Sequence, residues 1–166
     1  MTPVVERFDP DEHGAIVREF VTSGRATSAG FRSSPLSDGD CQQLLHRADM
    51  PGFKYIAFLR CPDEGVAGVV VPTIRSPPVF RDNAFLHIFG RPTPQMMASV
   101  VNVLRTRRLA AFCQTLVPAD AKAAAGILIQ AGGRNFEHEL FMRFDGRSPA
   151  HQTFRRSEAH IRSIRS

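Results

Sequence analysis

Along this chain, apolar positions switch repeatedly between a spacing of two and a spacing of three to four, which predicts strands alternating with helices. Val4 to Phe8 reads as a short strand, and Asp9-Pro10-Asp11-Glu12 then supplies an N-cap, a proline in the first helical position and acids in the first turn. Ile16, Val17, Phe20 and Val21 line one face of that first helix. From Ser23 to Pro35 the chain is rich in Ser and Gly, with Phe31 as its one large apolar residue, so this long connection is expected to be mobile or functional. A second helix starts near Ser37, with Asp40 completing a capping box and Leu44, Leu45 and Ala48 forming its apolar face.

The middle of the chain reads as sheet. Phe53 to Arg60 and Val66 to Ile74 flank Cys61-Pro62-Asp63-Glu64-Gly65, a connector of hairpin length, so they are expected to pair antiparallel. Val69, Val70 and Val71 imply burial on both faces. Ala84 to Phe89 is a further strand, and Thr93-Pro94 caps a helix with Met97, Val100, Val101 and Leu104 at i, i+3, i+4 and i+7. Arg105, Arg107 and Arg108 stand where cations complement that helix's C-terminus. Leu109 to Leu116 is expected as a strand. The run from Leu116 to Phe144 then gives a Val-Pro stop, a helix of small and aliphatic residues, a break at Gly132-Gly133 and an alternating strand with Phe136, His138, Leu140, Met142 and Phe144 on one face.

Composition changes the picture only at the C-terminus. The chain has 166 residues, 43% of them apolar, enough for one domain with a real core. Apolar stretches stop well short of the roughly 18 to 20 residues of a membrane span, so no membrane association is expected. The start, MTPVVERFDPDEH, lacks the basic-then-apolar order of a signal peptide, and an intracellular protein is expected. Cys41, Cys61 and Cys113 are widely spaced with no C-x-x-C, which implies free thiols and no zinc knuckle. Of the net charge of +5, residues 146–166 hold most: Arg147, Arg155, Arg156, Arg162 and Arg165 stand against Glu158 alone. Residues 1–145 therefore read as one domain and 146–166 as a basic tail suited to a protein partner's acidic face. Nucleic acid is the weaker alternative, since Phe154 is the tail's only aromatic.

The order strand, two helices, hairpin, strand, helix, strand, helix, strand resembles the GNAT acyltransferase superfamily over roughly residues 3 to 145. Two stretches carry the likeness: FLHIFGRPTPQMMASVVNVLRTRR and LVPADAKAAAGILIQAGG. The resemblance implies an α+β fold, an α/β/α sandwich with a mixed, mostly antiparallel central sheet flanked by helices. It also implies a site for acetyl-CoA. His87, Ile88 and Phe89 would line the pantetheine arm, while Arg91, Thr93, Gln95 and Met96 would face the phosphates at a helix N-terminus.

The family's reaction residues are replaced. Its phosphate loop is normally glycine-rich, whereas Gly90-Arg91-Pro92-Thr93-Pro94-Gln95 carries two prolines that lack N–H donors. Where the family's closing helix usually has an introducing Asn and a proton-donating Tyr, this chain has Ala121 and Leu128. His87 and Cys113 are the substitute catalysts on offer, although a lone strand histidine is usually structural and an isolated strand cysteine is most often a small core residue. Glu137 and Glu139 point opposite to His138 on a strand, so no metal site is expected.

Two functions follow. In the first, the protein is a non-catalytic binding or assembly module without a cofactor, its basic tail supplying contacts in the cytoplasm or a virion. The run Leu116 to Ala121 with the Gly132-Gly133 break resembles GNAT-like virion and head-assembly proteins of tailed phages. In the second, it is an acetyl-CoA-dependent N-acyltransferase with an atypical site that works by positioning its reactants.

Overall fold

The computed structural model describes residues 3–50, 54–74 and 83–134. The closing strand Phe136 to Phe144, the Glu137-His138-Glu139 group and the tail arginines Arg147, Arg155, Arg156, Arg162 and Arg165 lie outside them. The described elements follow the predicted order. They are β1 (Pro3–Arg7), α1 (Pro10–Val21), a 3-10 turn (Gly24–Thr27), α2 (Asp38–Ala48), β2 (Tyr55–Cys61), β3 (Gly65–Ile74), β4 (Asn83–Gly90), α3 (Pro94–Thr106), β5 (Phe112–Gln114) and α4 (Lys122–Gln130).

The strands form one sheet in the order β1-β2-β3-β4-β5, antiparallel except for the parallel pair β4-β5. Strand alternation divides its side chains cleanly between two cores. Ile56, Phe58, Val69, Val71 and Phe89 face α1 and α2, packing with Val17, Phe20, Val21, Cys41, Leu44 and Ala48. Ala57, Leu59, Val70, Ala84, Leu86 and Ile88 face α3 and α4, packing with Met96, Met97, Val100, Leu104 and Ala124. This is the expected α+β arrangement, a mixed sheet with helices on both faces.

Caps start the helices where the sequence places them. Asp9 accepts the Asp11 N–H, Ser37 accepts the Asp40 N–H, and Thr93 accepts the Met96 N–H. β5 is shorter than the expected Leu109 to Leu116. After α3, Arg108 takes a left-handed φ of 54° and the Leu109 N–H bonds back to the Leu104 carbonyl, so residues 107–110 finish the helix and cannot join the sheet. The loop Ser23 to Pro35 is likewise more ordered than its composition suggests, because Ala26 and Phe31 are both buried.

Candidate active site

β4 and β5 run side by side and then part. Their pairing is Asn83 with Phe112, Ala84 with Cys113 and Phe85 with Gln114, and it ends there. One residue further on, the Thr115 hydroxyl donates to the Leu86 carbonyl at 2.8 Å, a side chain standing in for the ladder. From His87 to Gly90, β4 keeps its β3 neighbour but has no described strand on its other side.

The identity of residue 72 fixes which backbone groups face that gap. Pro72 has no N–H to give to its partner Leu86, so Leu86 cannot form a doubly hydrogen-bonded pair with it; the Leu86 carbonyl points instead to Thr115 on the β5 side. Alternation then turns the Ile88 N–H and C=O to the same side. Ile88 therefore presents a donor and an acceptor into the opening, beside its own buried side chain.

The turn after β4 is pressed against β3. Gly90 has φ 73°, and a Cβ there would stand 2.4 Å from the Ala67 carbonyl oxygen and 2.6 Å from Phe20, so only glycine fits. Gly68 sits close to the same turn, where a Cβ would lie 3.1 Å from the Pro92 nitrogen and press on it. The Arg91 N–H is spent on the Ala67 carbonyl at 2.8 Å and the Met96 N–H on Thr93 Oγ1 at 3.1 Å. With Pro92 and Pro94 lacking donors, the Thr93 and Gln95 N–H groups are what the turn offers an anion, aided by the helix dipole.

The other expected site residues are distributed unevenly. The Met96 side chain is fully buried in the α3 core and cannot reach a phosphate. Arg91 extends to Glu64, Nη2 to Oε2 at 2.8 Å, with both side chains more than half exposed; such a pair is worth at most about 1 kcal/mol and is readily exchanged. Cys113 stands at the closed end of the β4-β5 pair and packs against the α3 core, where burial pushes its thiol pKa up and Arg105 only partly offsets this. It is a partly buried thiol at the margin of that core, away from the opening.

His87 is on the α1–α2 side of the open end. Its Nε2 lies 3.0 Å from Thr73 Oγ1, and its ring meets Phe85 edge-on at 4.9 Å. Burial, reinforced by Arg32 and Arg47, lowers its pKa to about 4, so the ring is neutral near pH 7 and a feeble base.

Arg32 escaped the sequence reading. Its guanidinium lies over the Phe89 ring with 5.3 Å to the centroid, on the α1–α2 side, while the preceding Phe31 is buried in the opposite, α3-side core. Gly30, just before them, lies against Ala121: a Cβ at Gly30 would be 3.3 Å from the Ala121 Cβ. A segment that touches both faces of the sheet in adjacent residues crosses it where β4 and β5 have separated. The sequence held one signal for this, an isolated Phe-Arg in a long Ser/Gly-rich connection.

Among the described residues no group of His, Cys, Asp and Glu could hold a metal ion, and no helix is long and apolar enough to cross a membrane. No family model matches the chain, and no curated protein matches it in sequence. Solved structures do match its fold. An acetyltransferase of the GNAT family from Streptococcus pneumoniae is similar with a TM-score of 0.58 and 16% identity, over 79% of this chain and 84% of that one. A ribosomal-protein-alanine N-acetyltransferase from Brucella melitensis is similar with a TM-score of 0.56 and 14% identity, over 78% of this chain and 83% of that one. The fold is therefore GNAT-like, and identities this low speak for the fold alone.

Proposed function

We propose that this protein is an N-acyltransferase that uses acetyl-CoA. The observation that carries the reading is the open end of β4, where Ile88 offers an N–H and a C=O in a slot between separated strands. A pantetheine arm has amides of matching donor and acceptor character, and a buried backbone pair with no partner among the described residues is one that a ligand can satisfy. The Thr93 and Gln95 N–H groups at the α3 N-terminus would take the pyrophosphate, with Arg91 able to leave its exposed partner Glu64 and join them. Bound there, acetyl-CoA would supply an activated thioester acyl group.

The chain's own residues then favour positioning over acid–base chemistry. His87 is neutral and weakly basic, Cys113 is partly buried against the core with its thiol pKa raised, and Leu128 replaces the family's usual proton donor. Rate would come from holding amine and acyl group together, an effect large enough to carry such a reaction. The acceptor would arrive already deprotonated, so activity should rise toward alkaline pH without an inflection from His87 above pH 5. Those same replacements favour a second reading, a protein that associates without transferring an acyl group. The sequence alone ranks that reading first; the likeness to acetyltransferase folds and the strand separation reverse the order. The virion role draws on tail residues outside the described ones.

The test is thermal unfolding with and without acetyl-CoA, combined with thiol release across a panel of amines. A ligand that binds only the native state stabilises it by about 2.7 kcal/mol at a hundredfold excess over Kd. A raised midpoint with amine-dependent thiol release supports the transferase. A raised midpoint with no release for any amine contradicts a module without a cofactor and leaves a binding site without transfer, whereas an unmoved midpoint contradicts the transferase and supports the second reading.

A further inference from the structure

The residue that the acyltransferase reading leaves unused is Arg32. It stands at the crossing of the loop and the sheet, its guanidinium over Phe89, which directly follows the Ile88 backbone pair in β4. We propose that Arg32 selects acceptors bearing a carboxylate beside the amine, as in free α-amino acids; this rests on the acyltransferase reading.

No described carboxylate lies within ion-pair distance of Arg32, and its Nε is buried without a hydrogen-bond partner. Asp40 is the acid that most affects it electrostatically, but Asp40 Oδ2 accepts the Ser37 hydroxyl at 2.7 Å and belongs to the cap of α2. Burying part of a cation without a counter-charge is unfavourable, so the fold tolerates a deficit that an incoming anion would relieve. Guanidinium and carboxylate match as planar forks, and a side-on carboxylate would engage Nε together with Nη2. The Phe89 ring lies under the guanidinium in cation–π contact, 5.3 Å from its carbon to the ring centroid.

Among the described residues Asp40 is the acid whose charge is felt at Arg32, and it makes no ion pair with it. Arg47, at the end of α2, adds a second positive charge felt at His87, and Thr73 and Phe85 complete the neutral lining. Phe89 directly follows Ile88 in β4, so a carboxylate held on Arg32 would sit beside the residue next to the opening. Neutral His87 adds no charge that would repel the acceptor's amine. Arg32 would thus contribute to acceptor recognition and not to cofactor binding.

The experiment compares the twenty α-amino acids with their decarboxylated amines in the presence of CoA, by thermal shift, and with acetyl-CoA, by thiol release. Wild type, Arg32→Gln, Arg32→Lys and Arg32→Met are measured side by side; Met keeps an apolar stem over Phe89 if Gln impairs folding. At least one amino acid is expected to be preferred over its amine by about 10- to 100-fold, the scale of a charge-assisted hydrogen bond. The ratio should fall toward one in the Gln and Met variants and to an intermediate value in Lys, which keeps charge but lacks the fork. The acetyl-CoA shift should be the same in all four proteins.

Equal use of acids and amines by wild type, or a preference that survives in Arg32→Gln or Arg32→Met, overturns the proposal. So does an acetyl-CoA shift that weakens with Arg32, which would assign the residue to the cofactor. If acetyl-CoA binds and neither acceptor class does, the carboxylate proposal falls while the cofactor site stands. If acetyl-CoA itself fails to bind, both fall.

Discussion

His13 and His87 are both withdrawn from water, and the fold treats them in opposite ways. His13, on α1, accepts the Asp9 N–H at Nδ1 and so carries its proton on Nε2, which donates to Glu6 Oε2; both bonds are 2.9 Å. Its ring lies between Phe8 and Phe58. Every polar atom is used, and the result ties α1 to β1. His87, on β4, has Thr73 as its hydrogen-bond partner among the described residues and stands near two arginines, one of which has a buried nitrogen with no partner. A completed polar network marks a structural joint, and an incomplete one marks a place that a ligand can finish.

The largest expected effect lies on the completed side. His13→Ala should lower stability by about 3 kcal/mol, combining lost volume with two stranded partners, Glu6 and the Asp9 N–H. Urea unfolding measures it, and a loss under about 1 kcal/mol would remove the distinction between the two sites.

The next effect belongs to His87 and depends on pH. Its folded pKa of about 4 lies below the ordinary 6.5, so between those values the unfolded chain binds the extra proton. The stability is fully present above pH 6.5 and is lost as pH falls toward 4. Between pH 7 and pH 5 the loss should be about 2 kcal/mol, and His87→Leu should abolish that part of the pH dependence. An unchanged profile in the variant would show that His87 is as well solvated as a surface histidine.

Two smaller effects sharpen the contrast around the open end. Thr93→Ala should cost about 1 kcal/mol through the lost cap of α3, read from the urea midpoint. Arg32→Met should leave stability at pH 7 within about 0.5 kcal/mol of wild type or raise it, because it removes an unpaired, partly buried charge. A loss of 2 kcal/mol on that scale would mean that Arg32 is a structural strut.

Much of the architecture was legible in the sequence because it is written in local chemistry. Asp9-Pro10, Ser37 with Asp40, and Thr93-Pro94 each satisfy orphan N–H groups within three residues, and alternation along β3 and β4 assigns their faces. The site was less legible because it is made by what strands stop doing. The parting of β4 from β5 lies beyond Gln114, where the ladder gives way to the Thr115 hydroxyl, and the orientation of Ile88 follows from a proline on a different strand. Arg32 reaches Phe89 from 57 positions earlier in the chain, a distance at which pattern carries no information. His87 was identifiable as a residue but not as a weak base, since its basicity is set by burial and by arginines brought in by folding. Met96, plausible by position, has its side chain buried in the core, and Cys113 packs partly buried against it.

The central claim is that the Ile88 backbone and the α3 N-terminus receive acetyl-CoA. Amide-resolved NMR during an acetyl-CoA titration reads this directly. The account predicts that the Ile88, Thr93 and Gln95 amide signals shift together and saturate at one stoichiometric equivalent, while the Asp9 amide at the His13 joint stays in place. Saturable binding that leaves Ile88 untouched, or no binding at all, would contradict it.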